Sequence, residues 1–224
     1  MVRSLMLSLV VSPFLASLAE AQSIASGDSG PRPLLPRQEE IALARSAAPA
    51  AVSAGATIYV LTARGYEGAV EGTNGAACYV ARDWKISLEP HCFDREGAET
   101  IMRMDMRRGE LLHEGVGLEE ANRIIAAGLL HGEFRLPSRL AMSWMMSSAQ
   151  QLVNAQGEPV GAWKPHVMIY YPFLTAEDVG LADDAAGATS TMMANGGSPR
   201  ANVVVVVPDF VDPVASAPAD RGGR

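Results

Sequence analysis

Apolar and polar side chains alternate in the first half of the chain in a pattern that predicts several strands. Residues 57–61 are rich in β-branched and aromatic side chains, which favours a strand. Further strands are predicted at 66–71 and 76–81, on either side of the Asn-Gly turn signal at 72–75. Residues 84–88 alternate between apolar and polar, as a half-buried strand does. Together these segments predict a small antiparallel β-meander.

Helical spacing replaces this alternation in the middle of the chain. Apolar side chains recur at helical intervals over 99–114 and again over 118–129. Gly117 is the expected N-cap of the second helix, and Gly132 is its expected end. A shorter helix is predicted at 39–47, before the first strand.

The second half of the chain returns to extended segments. Strands are predicted at 141–147, 166–171 and 202–207. The stretch 176–200 is polar and contains glycine, so we expect a long loop with one helical turn at 176–179. The order of strands, a central pair of helices and further strands predicts an α+β fold.

Both ends of the chain differ in composition from the middle. Residues 1–21 have a basic start, an apolar stretch and a small-x-small pattern, which predicts a signal peptide cleaved after Ala21. Residues 22–37 are predicted to be a flexible linker and 208–224 a disordered tail, leaving 38–207 as one domain. An uncleaved membrane anchor is the alternative. It is disfavoured because the apolar stretch is shorter than the roughly 20 residues that span a bilayer.

Composition narrows the classes of function. The chain has 224 residues, of which 48% are hydrophobic, and this share excludes a wholly disordered protein. The net charge of −7 argues against a nucleic-acid partner, because a phosphate-backbone binder needs a basic face. We expect a periplasmic or extracellular protein with no stable membrane span after signal cleavage. A monomer or a small homo-oligomer is the expected assembly.

Export gives the two cysteines a predicted role. In an oxidising compartment Cys78 and Cys92 are expected to pair as a structural disulfide. A free nucleophilic thiol at Cys92, beside His91, is the alternative. A redox pair normally has two residues between its cysteines, and that spacing is absent here.

Two clusters suggest metal chemistry but have simpler explanations. His91, Asp94 and Glu96 lie close together with Cys92, which suggests a metal site, yet Pro90 and Gly97 around them favour a plain polar turn. The methionines at 102, 104 and 106 suggest copper(I) binding through thioethers. At helical spacing they more simply predict core packing. We therefore predict no metal site and no cofactor.

The strand at 166–171 carries the candidate ligand-binding residues. His166, Met168 and Tyr170 share one face of this strand and are predicted to contact a small ligand. A buried histidine with satisfied hydrogen bonds is the alternative. No nucleophile elbow, phosphate loop, dinucleotide fingerprint or zinc-protease helix is present, so no catalytic residue is assigned.

Five segments of the chain carry a resemblance to a known group of proteins: IALARSAAP at 41–49, NGAACYV at 74–80, PHCFD at 90–94, PHVM at 165–168 and PFLT at 172–175. On these segments the chain resembles an uncharacterised family of small exported bacterial proteins. The resemblance implies one coherent domain and export. It assigns no activity and no catalytic residues. Gly117 departs from the pattern, in which a Ser-like helix cap is expected.

The leading hypothesis is an exported, non-catalytic domain that binds an unknown small ligand or an envelope protein. The export signal and the missing catalytic motifs support it. One alternative is a secreted hydrolase that uses His166 or His91 as its general base. Another is a structural or stress protein of the cell envelope whose flexible ends make the contacts.

Overall fold

The computed structural model describes residues 34–82, 87–153, 158–181 and 190–214. The predicted signal peptide at 1–21 lies outside these residues. So do 22–33 of the predicted linker, 84–86 of the predicted strand 84–88 and 215–224 of the predicted tail.

The described residues form helices and strands that alternate in groups. The helices are α1 Arg37–Arg45, α2 Ala50–Ser53, α3 Arg95–Glu99, α4 Ile101–His113 and α5 Leu118–Leu130, with a short 3-10 helix at Glu177–Val179. The strands are β1 Thr57–Thr62, β2 Gly65–Val70, β3 Ala77–Ala81, β4 Glu89–Phe93, β5 Ala141–Met145, β6 Leu152–Val153, β7 Pro159–Gly161, β8 His166–Tyr170, β9 Thr191–Ala194 and β10 Asn202–Val206. Helices and strands together are consistent with the predicted α+β class.

Eight strands build one mixed sheet in the order β2-β1-β3-β4-β5-β8-β10-β9. The predicted antiparallel meander is wrong, because β1 and β3 are parallel neighbours and β2 lies at the edge. After β2 the chain returns to the start of β1, where the amides of Thr73 and Asn74 donate to the Gly55 carbonyl. Strand β3 therefore begins beside the start of β1 and runs in the same direction.

The predicted polar turn at 90–97 is also wrong over its first half. Pro90, His91 and Cys92 lie in β4, whose five residues are all buried between β3 and β5. Pairing with β5 begins only at Cys92, so the missing amide proton of Pro90 breaks no bond to that strand. Asp94 ends the strand and caps α3, accepting from the Gly97 amide at 2.8 Å.

Helices occur outside the predicted central pair as well. Helix α1 precedes the sheet, and the predicted segment 99–114 is divided at Thr100 between α3 and α4. Gly117 is the N-cap of α5, and Gly132 follows α5 with a positive φ, as its sequence predicts. Strand β9 lies within the predicted loop 176–200 and was missed. The predicted helical turn there is present.

The sheet has two faces that pack differently. One face carries Tyr79 and Phe93, which pack against α4; we call it the α4 face. The other carries Ile58, Cys78 and Cys92, which pack against α1; we call it the α1 face. The methionines at 102, 104 and 106 are all buried in the first cluster, which confirms the prediction of core packing.

The predicted disulfide is present and joins the middle of the sheet. Cys78 in β3 lies directly opposite Cys92 in β4, with their Cα atoms 4.0 Å apart. Neither residue has exposed surface. The alternative of a free thiol at Cys92 is therefore excluded.

The first residues of the predicted tail contact the sheet. Val211 forms a parallel bridge with Ser147, and its amide donates to the Met146 carbonyl at 2.8 Å. The Asp212 carboxylate accepts from the Ser148 hydroxyl. In the part of the chain that the structure describes, no helix has the length and apolar character needed to cross a bilayer.

Candidate functional site

Strand β8 presents a different set of side chains to each face of the sheet. His166, Met168 and Tyr170 point to the α4 face and are only 8%, 9% and 3% exposed. Val167 and Ile169 alternate with them on the α1 face. The three residues predicted to bind a ligand therefore share one face, but that face is the core side. Their role in binding stays a prediction.

Hydrogen bonds satisfy much of this buried row. The His166 Nδ1 atom lies 2.7 Å from the Lys164 carbonyl oxygen, and the Tyr170 hydroxyl donates to the Met168 sulfur at 3.4 Å. Burial lowers the pKa of His166, against the opposing effect of its backbone hydrogen bond. The geometry of His166 is that of a neutral histidine held inside the fold.

A second histidine lies on the same face and contacts a serine. The His91 Nε2 atom is 2.9 Å from the Ser143 Oγ, and its ring packs at a tilt against Phe93, with 4.2 Å between centroids. Burial lowers the pKa of His91 well below its usual value, and the neighbouring His166 and Arg200 lower it further. His91 is therefore held neutral at physiological pH.

A serine hydrogen-bonded to a neutral histidine is the central pair of many hydrolases. Here, however, Ser143 has no exposed surface and His91 is 6% exposed. A substrate cannot reach the Ser143 Oγ in this conformation. The pair therefore acts as a core hydrogen bond, and the geometry supports neither His91 nor His166 as a general base.

A charged cluster lies between α4 and the sheet, near these two histidines. The Asp105 carboxylate is 3% exposed and pairs with Arg200, while Arg108 Nη2 lies 3.9 Å from the same Asp105 oxygen. Burial raises the pKa of Asp105, and Arg200 opposes this shift. The hydroxyl of Tyr79 interacts electrostatically with the same three residues.

The α1 face of the β5, β8 and β10 half of the sheet is open and concave. The chain segment after β8 folds over this face and closes one side of a groove of about 390 Å³. We call it the apolar groove. It is lined by Leu140, Ile169, Tyr171, Leu174, Val179, Leu181, Thr191 and Val203.

Several large side chains of the apolar groove are exposed to solvent. Tyr171 is 56% exposed, Leu140 53% and Val179 40%. None of the eight described lining residues is charged. Because contiguous exposed apolar surface is uncommon on folded proteins, such a patch marks an interaction site more often than chance.

A strained turn borders the groove. The Leu174 amide donates to the Tyr171 carbonyl at 3.2 Å, closing a turn with Pro172 second and Phe173 third. Phe173 has a φ of 66°, a left-handed conformation normally left to glycine or asparagine. Phe173 is 57% exposed. The turn therefore holds an exposed aromatic ring beside Tyr171 and Leu174 in spite of backbone strain.

A second cavity, of about 240 Å³, lies beside the start of α4 and residues 132–135. Among its charged side chains, Arg135 Nη2 lies 2.7 Å from the Glu99 carboxylate, and Arg103 lies 5.8 Å from the centre of the Tyr59 ring. Its lining is mainly polar and charged, with one aromatic ring from Phe134, so it lacks the apolar character of the groove. In the described ranges, no group of three or more His, Cys, Asp or Glu side chains is arranged to hold a metal ion.

Comparison of the chain with protein-family models, with curated proteins and with solved structures gives no match. The resemblance to an exported bacterial family therefore stays an expectation. Sequence reasoning missed the groove although one signal was available. The stretch from Tyr171 to Leu181, which runs from the end of the predicted strand into the predicted loop, contains five large apolar side chains where solvation favours polar residues.

Proposed function

We propose that this protein is an exported, non-catalytic binding domain that holds a small apolar ligand in the apolar groove. The observation that carries the proposal is the groove itself, which lies on the α1 face of β5, β8 and β10 and is lined by apolar side chains that are partly exposed to solvent. A groove of about 390 Å³ has the size of a small-molecule site. Apolar walls make burial of apolar ligand surface the main source of affinity.

The polar groups of the groove restrict the chemistry of the ligand. Tyr171 and Thr191 supply hydroxyls, and the other lining side chains are hydrocarbon. A hydroxyl orients one polar group of a ligand but does not neutralise a charge. The ligand class we propose is therefore an uncharged, mainly apolar molecule with one hydrogen-bonding group.

The strained turn supports the same proposal. A bulky residue with positive φ costs roughly 1–3 kcal/mol, and such strain is concentrated at functional positions. Phe173 is more than half exposed, so burial in the core does not offset this strain. A ligand bound in the groove would provide an apolar surface against which the Phe173 ring could pack.

Export is the second part of the proposal. The disulfide between Cys78 and Cys92 fits an oxidising compartment, because reducing cytosol disfavours structural disulfides. The predicted signal peptide at 1–21 points to the same compartment. We therefore expect the protein to bind its ligand in the periplasm or outside the cell.

The test is a titration of the purified protein with N-phenyl-1-naphthylamine, an uncharged apolar fluorophore. The variant pair is Leu140→Ser with Tyr171→Ser, since both side chains are already more than half exposed and their loss spares the core. The matched control is Leu130→Ser on α5, which is 86% exposed and lies outside the groove. We expect the double variant to bind about tenfold more weakly and the control to bind as the wild type does.

Two outcomes contradict the proposal. If the double variant binds the fluorophore with wild-type affinity, the groove is not the binding site. If none of the proteins binds it, sedimentation equilibrium of the wild type and the double variant decides what covers the groove. A wild-type dimer that the double variant loses assigns the groove to self-association and refutes a small ligand.

A further inference from the structure

The loop that joins β9 to β10 holds one wall of the apolar groove. We call residues 171–181 the groove wall, because four of their side chains line the groove. Main-chain hydrogen bonds of 2.8–3.2 Å join this wall to residues 195–201, which we call the β9–β10 loop. In these bonds the amides of Tyr171, Phe173 and Gly197 donate to the carbonyls of Ala201, Ser198 and Leu174, respectively. The position of the groove wall therefore depends on the position of the loop.

The same loop is anchored on the opposite face of the sheet by an ion pair. Arg200, in the β9–β10 loop, contacts the Asp105 carboxylate of α4 through its Nη2 atom. The Asp105 side chain is only 3% exposed, so water does little to weaken this attraction. Within the loop, the Ser198 hydroxyl accepts a hydrogen bond from the Arg200 amide at 3.1 Å. Ser198 therefore links the anchored Arg200 to the amide of Phe173.

Phe173 needs this support because its backbone is strained. A bulky residue keeps a positive φ only where the surrounding structure enforces it. Phe173 has a φ of 66° and is more than half exposed, so core packing does not enforce this conformation. The hydrogen bond from its amide to the Ser198 carbonyl, at 2.8 Å, fixes the peptide instead. If the loop shifts, the strained turn relaxes, and Tyr171 and Leu174 leave their places in the groove.

We propose that the ion pair between Asp105 and Arg200 positions the groove wall, which makes Arg200 a positioning residue of the apolar groove. Asp105 lies on the α4 face, and Arg200 does not line the groove, so neither side chain contacts a ligand bound there. Both act through the β9–β10 loop. The effect of the pair on ligand affinity rests on the proposed function, whereas its effect on the wall does not.

The experiment measures hydrogen exchange of single amides by NMR, together with binding of N-phenyl-1-naphthylamine. The test variant is Asp105→Asn, which keeps the shape of the side chain and removes its charge. The matched control is Glu40→Gln, because Glu40 and Arg82 form a fully buried ion pair several strands away from the β9–β10 loop. In Asp105→Asn we expect the Phe173 and Gly197 amides to exchange about tenfold faster and the fluorophore to bind about tenfold more weakly. Glu40→Gln should change neither quantity.

Two variants of Arg200 separate the ion pair from a general loss of stability. In Arg200→Met the guanidinium is lost, but Asp105 keeps Arg108, whose Nη2 lies 3.9 Å from the same carboxylate oxygen. Arg200→Met should therefore speed exchange of the same two amides even if Asp105→Asn does not fold. Arg200→Lys should keep exchange close to that of the wild type, because a single nitrogen makes the contact with Asp105 and lysine supplies one.

Several results would overturn the proposal. One is wild-type exchange of the Phe173 and Gly197 amides in both Asp105→Asn and Arg200→Met. Another is equally fast exchange of these amides in Glu40→Gln, since the effect is then a general loosening of the fold. Wild-type fluorophore affinity in Asp105→Asn also overturns it and leaves the ligand function standing. Faster exchange in Asp105→Asn, with no fluorophore binding by any of the proteins, supports the positioning role and refutes only the proposed ligand.

Discussion

The buried imidazole of His91 predicts a specific dependence of stability on pH. Its pKa in the folded protein lies well below the usual 6.5, because the ring is desolvated between Ser143 and Phe93. In the unfolded chain the imidazole regains an ordinary pKa of about 6.5. As the pH falls through that value, the unfolded state takes up a proton that the folded state does not. The folded state therefore loses stability as the pH falls, and it is most stable above the unfolded pKa.

The size of this effect follows from the two pKa values. For a group that stays neutral in the fold, a change from about pH 7.5 to about pH 5.5 costs about 1.4 kcal/mol of unfolding free energy. The pKa of His166 is also lowered by burial and adds a loss of the same sign. Asp105 and Glu40 have pKa values raised by burial, so protonating them as the pH falls opposes the loss. These contributions are shared by the wild type and by a His91 variant, and a comparison of the two cancels them.

The measurement is urea unfolding of the wild type and of His91→Gln at both pH values. Glutamine keeps a hydrogen-bonding group near Ser143 but does not titrate. We expect the variant to lose about 1.4 kcal/mol less than the wild type over the same interval. The control is His131→Gln at an exposed position, which should keep the wild-type dependence. A wild-type pH dependence in His91→Gln would show that this imidazole is charged or accessible in the fold, and the reasoning about the core would fail.

Three further sets of substitutions test local features, and each is measured by urea unfolding. At position 173, with its φ of 66°, Phe173→Gly should be about 1 kcal/mol more stable than Phe173→Ala, and the reverse order contradicts the strained turn. Replacing Cys78 and Cys92 by alanine should remove about 3 kcal/mol, since the disulfide spans 14 positions; an unchanged midpoint argues against the bond. Asp94→Ala should lower the free energy of unfolding by about 1–2 kcal/mol, because α3 loses its N-cap. Asp94→Asn should keep most of the wild-type stability, because asparagine also caps a helix.

Local patterns in the sequence predicted the segments whose own side chains decide their structure. The strand at His166–Tyr170 and the helix at Leu118–Leu130 have strong periodicity and clear end signals, and both are present. The pairing of Cys78 with Cys92 was predicted because the chain has only two cysteines and an oxidising compartment was expected. In these cases neighbours along the chain carry the information.

The errors arose where distant residues decide the structure. Pro90 read as a turn, yet the long-range pairing of β4 with β3 places it in a buried strand. The parallel pairing of β1 with β3 depends on the hydrogen bonds to Gly55, which no local pattern encodes. Alternation along β8 predicted that His166 and Ile169 lie on opposite faces of the sheet, but it did not predict which of the two faces α4 covers. The apolar groove could therefore not be predicted from the sequence of β8 alone.

Native mass spectrometry of the protein, purified after secretion by its own signal, tests the central claim most directly. The account predicts a chain that begins at Gln22, lacks two hydrogens at Cys78 and Cys92, and carries an added small mass that organic extraction removes. The Leu140→Ser and Tyr171→Ser double variant should lack that added mass. A wild-type protein with a bare chain mass that also fails to take up the apolar fluorophore would contradict the binding function.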